Sequence, residues 1–196
     1  MKKLLALLLV FALLIPAAVC FADEAEGTEY VFEAEYTDLE GLEGLGVSGS
    51  PTGLGLIAES SKASNDFFVG NLGVDSPITF VITASEDCVA TLKLTVGSNI
   101  LGNCAWNPET LIIKVNDEAI DYKEFTTDNG TDPSDQNNFK TKKIGEINLV
   151  KGENIIVIVA GENTYRSNLP SAPSIDCIKL ITTAELSMEE LEENIE

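Results

Sequence analysis

Three carboxylates sit in segments that can bring them to one point. The stretch Tyr30-Val31-Phe32-Glu33-Ala34-Glu35-Tyr36-Thr37-Asp38 alternates with a period of two. Tyr30, Phe32, Ala34 and Tyr36 fall on one side, and Val31, Glu33, Glu35 and Thr37 fall on the other. A strand over this stretch holds Glu33 and Glu35 on one face, about 7 Å apart. Near the other end of the chain, Ser174-Ile175-Asp176-Cys177-Ile178-Lys179-Leu180 sets a third carboxylate in an otherwise apolar strand. If the first and last strands are neighbours, Glu33, Glu35 and Asp176 converge on one hard cation. Oxygen donors without imidazole or thiolate suit calcium rather than zinc. The chain contains no histidine. That removes most zinc sites, the histidine-based triads and the commonest general base.

The elements that must position these acids follow from composition and pattern. Met1-Lys2-Lys3 precedes an apolar run from Leu4 to Val19, and Cys20 and Ala22 supply small residues at the −3 and −1 positions of a cleavage site before Asp23. This reads as a secretory signal peptide over residues 1–22. A lipid-anchored reading would use Cys20, but Val19 is a poor fit to the small residue expected before it. No later stretch reaches the ~20 apolar residues of a membrane-spanning helix. Removing residues 1–22 takes away Lys2 and Lys3 and no acid, which moves the formal charge from −20 to −22. So acidic a surface repels nucleic acid and anionic membranes. Cys88, Cys104 and Cys177 remain, enough for at most one internal disulfide, and their spacing matches no zinc motif.

Residues 23–29 read as a disordered lead-in and residues 30–182 as one domain. Strands are expected near 67–72, 78–84, 88–96, 110–115, 119–122, 143–149, 154–159 and 175–181. Each is short, rich in Val, Ile, Thr and Phe, and bounded by turn residues. Ser60–Asp66 is a turn-rich loop, while Asn116-Asp117-Glu118 and Leu149–Asn154 read as hairpins. The fold class is therefore all-β, a β-sandwich. Short turns at Glu86-Asp87, 116–118 and 150–153 alternate with long connections at 97–109, 123–142 and 160–174. In an antiparallel sandwich that alternation gathers the three long connections at one end. The acidic tail, residues 183–196, carries Ser187-Met188-Glu189-Glu190, which fits a capping box and predicts a short helix.

Four segments together resemble one group of proteins. Phe32-Glu33-Ala34-Glu35 resembles the opening strand of carbohydrate-binding modules of families 6 and 35. Asn65-Asp66-Phe67-Phe68-Val69-Gly70-Asn71-Leu72 looks like their second motif, an aromatic before Val-Gly. Ile147-Asn148-Leu149-Val150-Lys151-Gly152-Glu153-Asn154-Ile155-Ile156 is similar to their late hairpin. Pro173-Ser174-Ile175-Asp176-Cys177-Ile178-Lys179-Leu180 matches their closing strand. The ordered set spans residues 30–181. It implies a galactose-binding-like sandwich, or jelly roll, with no catalytic machinery. The resemblance also implies a structural calcium on Glu33, Glu35 and Asp176, completed by a backbone oxygen near Asp66. Where many members carry Gly-Gly, this chain has Asn65-Asp66, and both residues tolerate the left-handed conformation.

A sugar site needs an aromatic platform for the flat C–H face and planar polar partners for the hydroxyls. The one tryptophan, Trp106, lies in the first long connection, and Asn163-Thr164-Tyr165-Arg166-Ser167-Asn168 lies in the last. The loop alternation puts both at one end. Trp106 or Tyr165 is then the stacking residue, with Arg166, Asn163 and Asn168 as hydrogen-bonding partners. Arg166 would admit an anionic sugar such as a uronic acid. A lone Trp often plugs the end of a sandwich core, and Arg166 can simply pair with an acid. The expected function is a secreted, non-catalytic protein that binds an oligo- or polysaccharide. An alternative is a surface adhesion or assembly module of the same fold that binds protein. No motif selects the facing carboxylate pair that glycosidase chemistry needs.

Overall fold

The computed structural model describes residues 27–37, 39, 56–70, 72–73, 76–98, 104–128, 138–161 and 172–191. The signal peptide expected at 1–22 therefore lies outside the described residues. Thirteen strands follow in chain order: β1 (Thr28–Glu33), β2 (Leu56–Glu59), β3 (Phe67–Gly70), β4 (Ile78–Ala84), β5 (Cys88–Gly97), β6 (Cys104–Trp106), β7 (Leu111–Val115), β8 (Glu118–Ala119), β9 (Phe125–Thr127), β10 (Lys140–Leu149), β11 (Gly152–Ala160), β12 (Ser174–Thr182) and β13 (Leu186–Met188). A first sheet runs β10-β5-β12-β3-β2, with β1 also paired to β12. A second runs β13-β4-β11-β7-β8, and β6 with β9 forms a separate ribbon. Every described pairing is antiparallel.

The two sheets bury one face each because their strands alternate. In β4, Ile78, Phe80, Ile82 and Ala84 are buried, while Val81 and Thr83 face outward. In β11, Asn154, Ile156, Ile158 and Ala160 are buried between more exposed neighbours. Facing them from the first sheet are Ala90, Leu92, Leu94, Ile178 and Leu180. The period of two that marks these strands in the sequence is thus the period that fills the core.

The chain departs from the sequence expectation in four places. The opening strand starts earlier, at Thr28, and stops at Glu33, where a single 3-10 turn, Ala34–Tyr36, takes over. Glu35 is therefore not on a strand face with Glu33; the tighter turn buries Ala34 and Glu35 together. The tail is not helical at Ser187. Instead β13 pairs along β4, with Leu186 buried at 8% exposure, because an open sheet edge satisfies backbone groups that a marginal lone helix cannot. The Leu149–Asn154 connection is not a hairpin: β10 pairs with β5 and β11 with β4 and β7, so the turn crosses between sheets. Finally, β6 and β9 are short strands inside two stretches expected to be loop. The hairpin at Asn116-Asp117 does form, with both residues at positive φ, 49° and 68°.

The loop alternation survives. Gly97 pairs with Ser174, Val96 with Lys140, and Ala160 with Leu111, so the three long connections leave from one end. Gly161 donates its N–H to Thr110, and a Cβ there would meet the Glu109 carbonyl oxygen at 1.8 Å. Only glycine permits that close approach of two loop roots.

Candidate functional site

The partner of β12 changes along its length. From Thr182 back to Cys177 it pairs with β1, and at Ile175 it pairs with Val69 of β3. Asp176 stands at that seam. Against β5 it is the extra residue of a bulge, since Ile175 opposes Val96 and Cys177 opposes Thr95. Bulges re-aim a side chain and commonly serve a site. Glu33 is the last residue of β1, opposite Cys177, and the 3-10 turn that follows carries Glu35. Thus the first and last long strands are neighbours, and three acids distant in sequence reach one corner.

The loop from β2 to β3 closes over that corner. Ser60 donates its N–H to the Asp66 carbonyl at 2.7 Å, and Asp66 takes φ 64°, the left-handed turn expected of Asn65-Asp66. Ser64 donates its backbone N–H to Asp176 Oδ1 at 2.9 Å. Its hydroxyl lies 2.6 Å from Glu33 Oε2 and 3.2 Å from Asp176 Oδ1. One hydroxyl carries one proton, so it serves one of these carboxylates at a time. Asn65 Nδ2 donates to Glu35 Oε1 at 3.2 Å and to the Tyr36 hydroxyl at 2.8 Å. From the tail, Leu191 donates its N–H to the Tyr36 carbonyl at 2.9 Å, and Glu190 adds negative field at Glu33.

Negative charge is crowded here. Glu35 is fully buried and Asp176 is 2% exposed. Burial pushes the Glu33 and Asp176 carboxyls up, and the carboxylate of Asp176 raises Glu33 further. Burial pushes Glu35 up to about 7, with Glu33 and Asp176 contributing in the same direction. The neighbouring Cys177 thiol is pushed up to about 12, chiefly by burial, so it stays protonated and offers no soft ligand. The corner is an oxygen site. Ser64 and Asn65 currently engage its carboxylates, and among the described residues no three acids or thiols are already gathered into a metal-holding group. Sequence reasoning found the acids and missed Ser64 and Asn65, although both lie in the turn-rich loop it identified.

Trp106 is a correction. It is fully buried in the core, and its indole Nε1–H donates to Thr127 Oγ1 at 2.9 Å across the β6–β9 ribbon. It therefore presents no ring face for a sugar; it plugs the loop end of the sandwich, with Phe125 opposite it and stacked obliquely near Tyr122. Asn163, Tyr165, Arg166 and Asn168 lie outside the described residues. Among the described residues, Cys88, Cys104 and Cys177 form no disulfide.

No protein-family model matches the chain, and no curated protein does either. Solved structures do. A family 35 carbohydrate-binding module from Clostridium thermocellum superposes with TM-score 0.53 at 14% identity, over 78% of this chain and 97% of that one. A family 35 module from Cellvibrio japonicus gives TM-score 0.51 at 14% identity, over 82% and 97%. A β-(1,4)-mannanase of Podospora anserina carrying such a module gives 0.51 at 20% identity, over 81% of this chain. An exo-β-1,3-galactanase of Phanerochaete chrysosporium gives 0.52 at 20%. The chain spans only 28–29% of those two enzymes. At these identities the likeness is one of fold: the chain has the galactose-binding-like β-sandwich of family 35 modules.

Proposed function

We propose that this chain is an exported, non-catalytic carbohydrate-binding module held closed by one calcium ion. The single observation that carries the reading is the fold. The likeness covers nearly the full length of two family 35 module structures and only a fraction of the enzymes. Glu33, Glu35 and Asp176 would hold the ion, with backbone carbonyls of the Ser60–Asp66 loop as further oxygen donors. The donor set fits a hard cation, because it is made of desolvated carboxylates beside a thiol that stays protonated. The ion would supply the positive charge that three crowded carboxylates lack and would tie β1, the 3-10 turn and β12 together. Asn163, Tyr165, Arg166 and Asn168 remain the proposed sugar contacts at the loop end, without Trp106.

Binding to a glycan array, run with calcium and with chelator, tests the reading. Retention of one glycan class, lost on Tyr165→Ala with the melting temperature unchanged, supports it. A protein-binding module of the same fold is the second reading. It would use the aliphatic cross-strand pair Val81 and Ile155, 37% and 38% exposed on the outer face of the second sheet. No glycan retained, with a cell-surface protein retained instead, would favour it.

A further inference from the structure

The outer face of the first sheet carries a row of cations that begins beside the acid corner, where Lys179 acts on Glu33 and Asp176. In the register of the sheet, Lys143 of β10 lies opposite Lys93 of β5, and Lys93 lies opposite Lys179 of β12. Three lysines thus stand side by side across three neighbouring strands. All three share the outer face, because the next rung, Gly145 and Leu180 about Leu92, turns its leucines into the core. The whole chain has only 12 basic residues against 32 acidic ones. Like charges directly opposite one another destabilise a sheet. With so many acids available, a row of a quarter of the chain's cations is poor design for stability alone.

Compensation within the face is partial. Glu29 of β1 accepts from Lys93 Nζ at 2.9 Å and lies 3.6 Å from Lys179 Nζ. One carboxylate therefore pairs with two ammonium groups, and Lys179 is further offset by Glu33 and Asp176. Lys143 is exposed and makes no ion pair among the described residues. Beside the row, the exposed Thr141 shares a 3.0 Å hydrogen bond with the buried Thr95 of the neighbouring strand and presents a neutral hydroxyl. Strands lie about 4.8 Å apart, close to the length of one sugar ring, so a chain laid across the strands passes one cation per sugar.

Resting on the reading of the protein as a carbohydrate-binding module, we propose that the Lys143–Lys93–Lys179 row binds a polyanionic glycan, one with a negative group on successive sugars. The excess negative charge elsewhere does not forbid this, since it is screened beyond about 8 Å at physiological salt. Carboxylate and sulfate esters share the chemistry, and the two are separated by the test.

The protein is titrated with an oligogalacturonate, a sulfated oligosaccharide and a neutral oligosaccharide, at low and high salt. Binding of one of the anionic glycans is expected, weakening with salt. Lys143→Gln should weaken it about fivefold, and adding Lys93→Gln should weaken it about as much again. Lys123→Gln, an exposed lysine elsewhere, should leave it unchanged. Among the described residues Lys143 makes no ion pair, so the single variant tests the row even if loss of the Lys93–Glu29 pair unfolds the double. Equal anionic binding by Lys143→Gln, or neutral binding with neither anionic glycan bound, overturns the row while sparing the module. Absence of binding to all three glycans overturns both.

Discussion

Two polar clusters tie this sandwich together, and they are built on opposite terms. At the short-turn end, Asn154 is fully buried where the chain crosses from one sheet to the other. Its Oδ1 accepts from Val150 N–H at 2.9 Å and Asn116 Nδ2 at 3.0 Å, and its Nδ2 donates to the Val150 and Gly152 carbonyls at 2.8 and 3.0 Å. Asn116 in turn accepts from Ile155 N–H at 2.9 Å. All of Asn154's capacity is used, and no net charge is buried. At the β1–β12 seam, by contrast, the Ser64 hydroxyl and backbone N–H, the Asn65 amide, the Cys177 thiol and a backbone hydrogen bond at Glu35 meet three crowded carboxylates, two of them buried. A neutral cluster with matched donors is a structural clasp. A charged cluster short of donors is a site that gains when a cation arrives.

The largest effect should come from the clasp. Asn154→Ala removes four hydrogen bonds and strands their backbone partners, costing about 4 kcal/mol. Chemical denaturation should show that loss equally with calcium and with chelator. A calcium-dependent loss would erase the distinction between the clusters.

Next is pH, which should move only the seam. Glu35 titrates near 7 in the fold against 4.5 unfolded, so the metal-free fold prefers its protonated form. Stability from this group is complete below pH 4.5 and is lost as pH rises through 7, roughly 3 kcal/mol in all. Metal-free protein should therefore melt higher at pH 5 than at pH 8, a trend that added calcium should reverse. A metal-free melting temperature that rises from pH 5 to pH 8 would contradict it. Glu35→Gln, which removes the buried charge, should stabilise the metal-free protein at pH 8 by about 2 kcal/mol. The same variant should no longer respond to calcium. Smallest is Ser64→Ala, which forfeits one hydroxyl shared between Glu33 and Asp176, about 1 kcal/mol without calcium. In calcium the difference should shrink.

The sandwich was legible in the sequence because its strands alternate and are short. Ile78–Ala84 falls at the expected bounds, and Ser174–Thr182 differs by one residue at each end. The acid corner was legible as a set of residues but not as a geometry. Glu33 and Glu35 look like one strand face, and nothing in Ala34-Glu35-Tyr36 signals the 3-10 turn that tertiary packing imposes. Asp176 looks like a strand residue, whereas it owes its position to a bulge, which leaves no periodic trace. Trp106 was misread because a three-residue strand is too short to carry a period, and a long interval between strong strands resembles an exposed loop. Ser187 to Glu190 fit a capping box while Leu186 and Met188 fit a strand alternation, and the open edge of β4 decided between the two.

The central claim is that the β1–β12 seam is a calcium site on which the closed sandwich depends. It is tested by thermal melts of the wild-type chain and of Glu35→Gln at pH 8, with calcium and with excess chelator. Calcium at about a hundred times its dissociation constant should stabilise the wild type by about 2.7 kcal/mol, a rise of several degrees that chelator abolishes and the variant lacks. A wild-type melting temperature indifferent to calcium and chelator would contradict it.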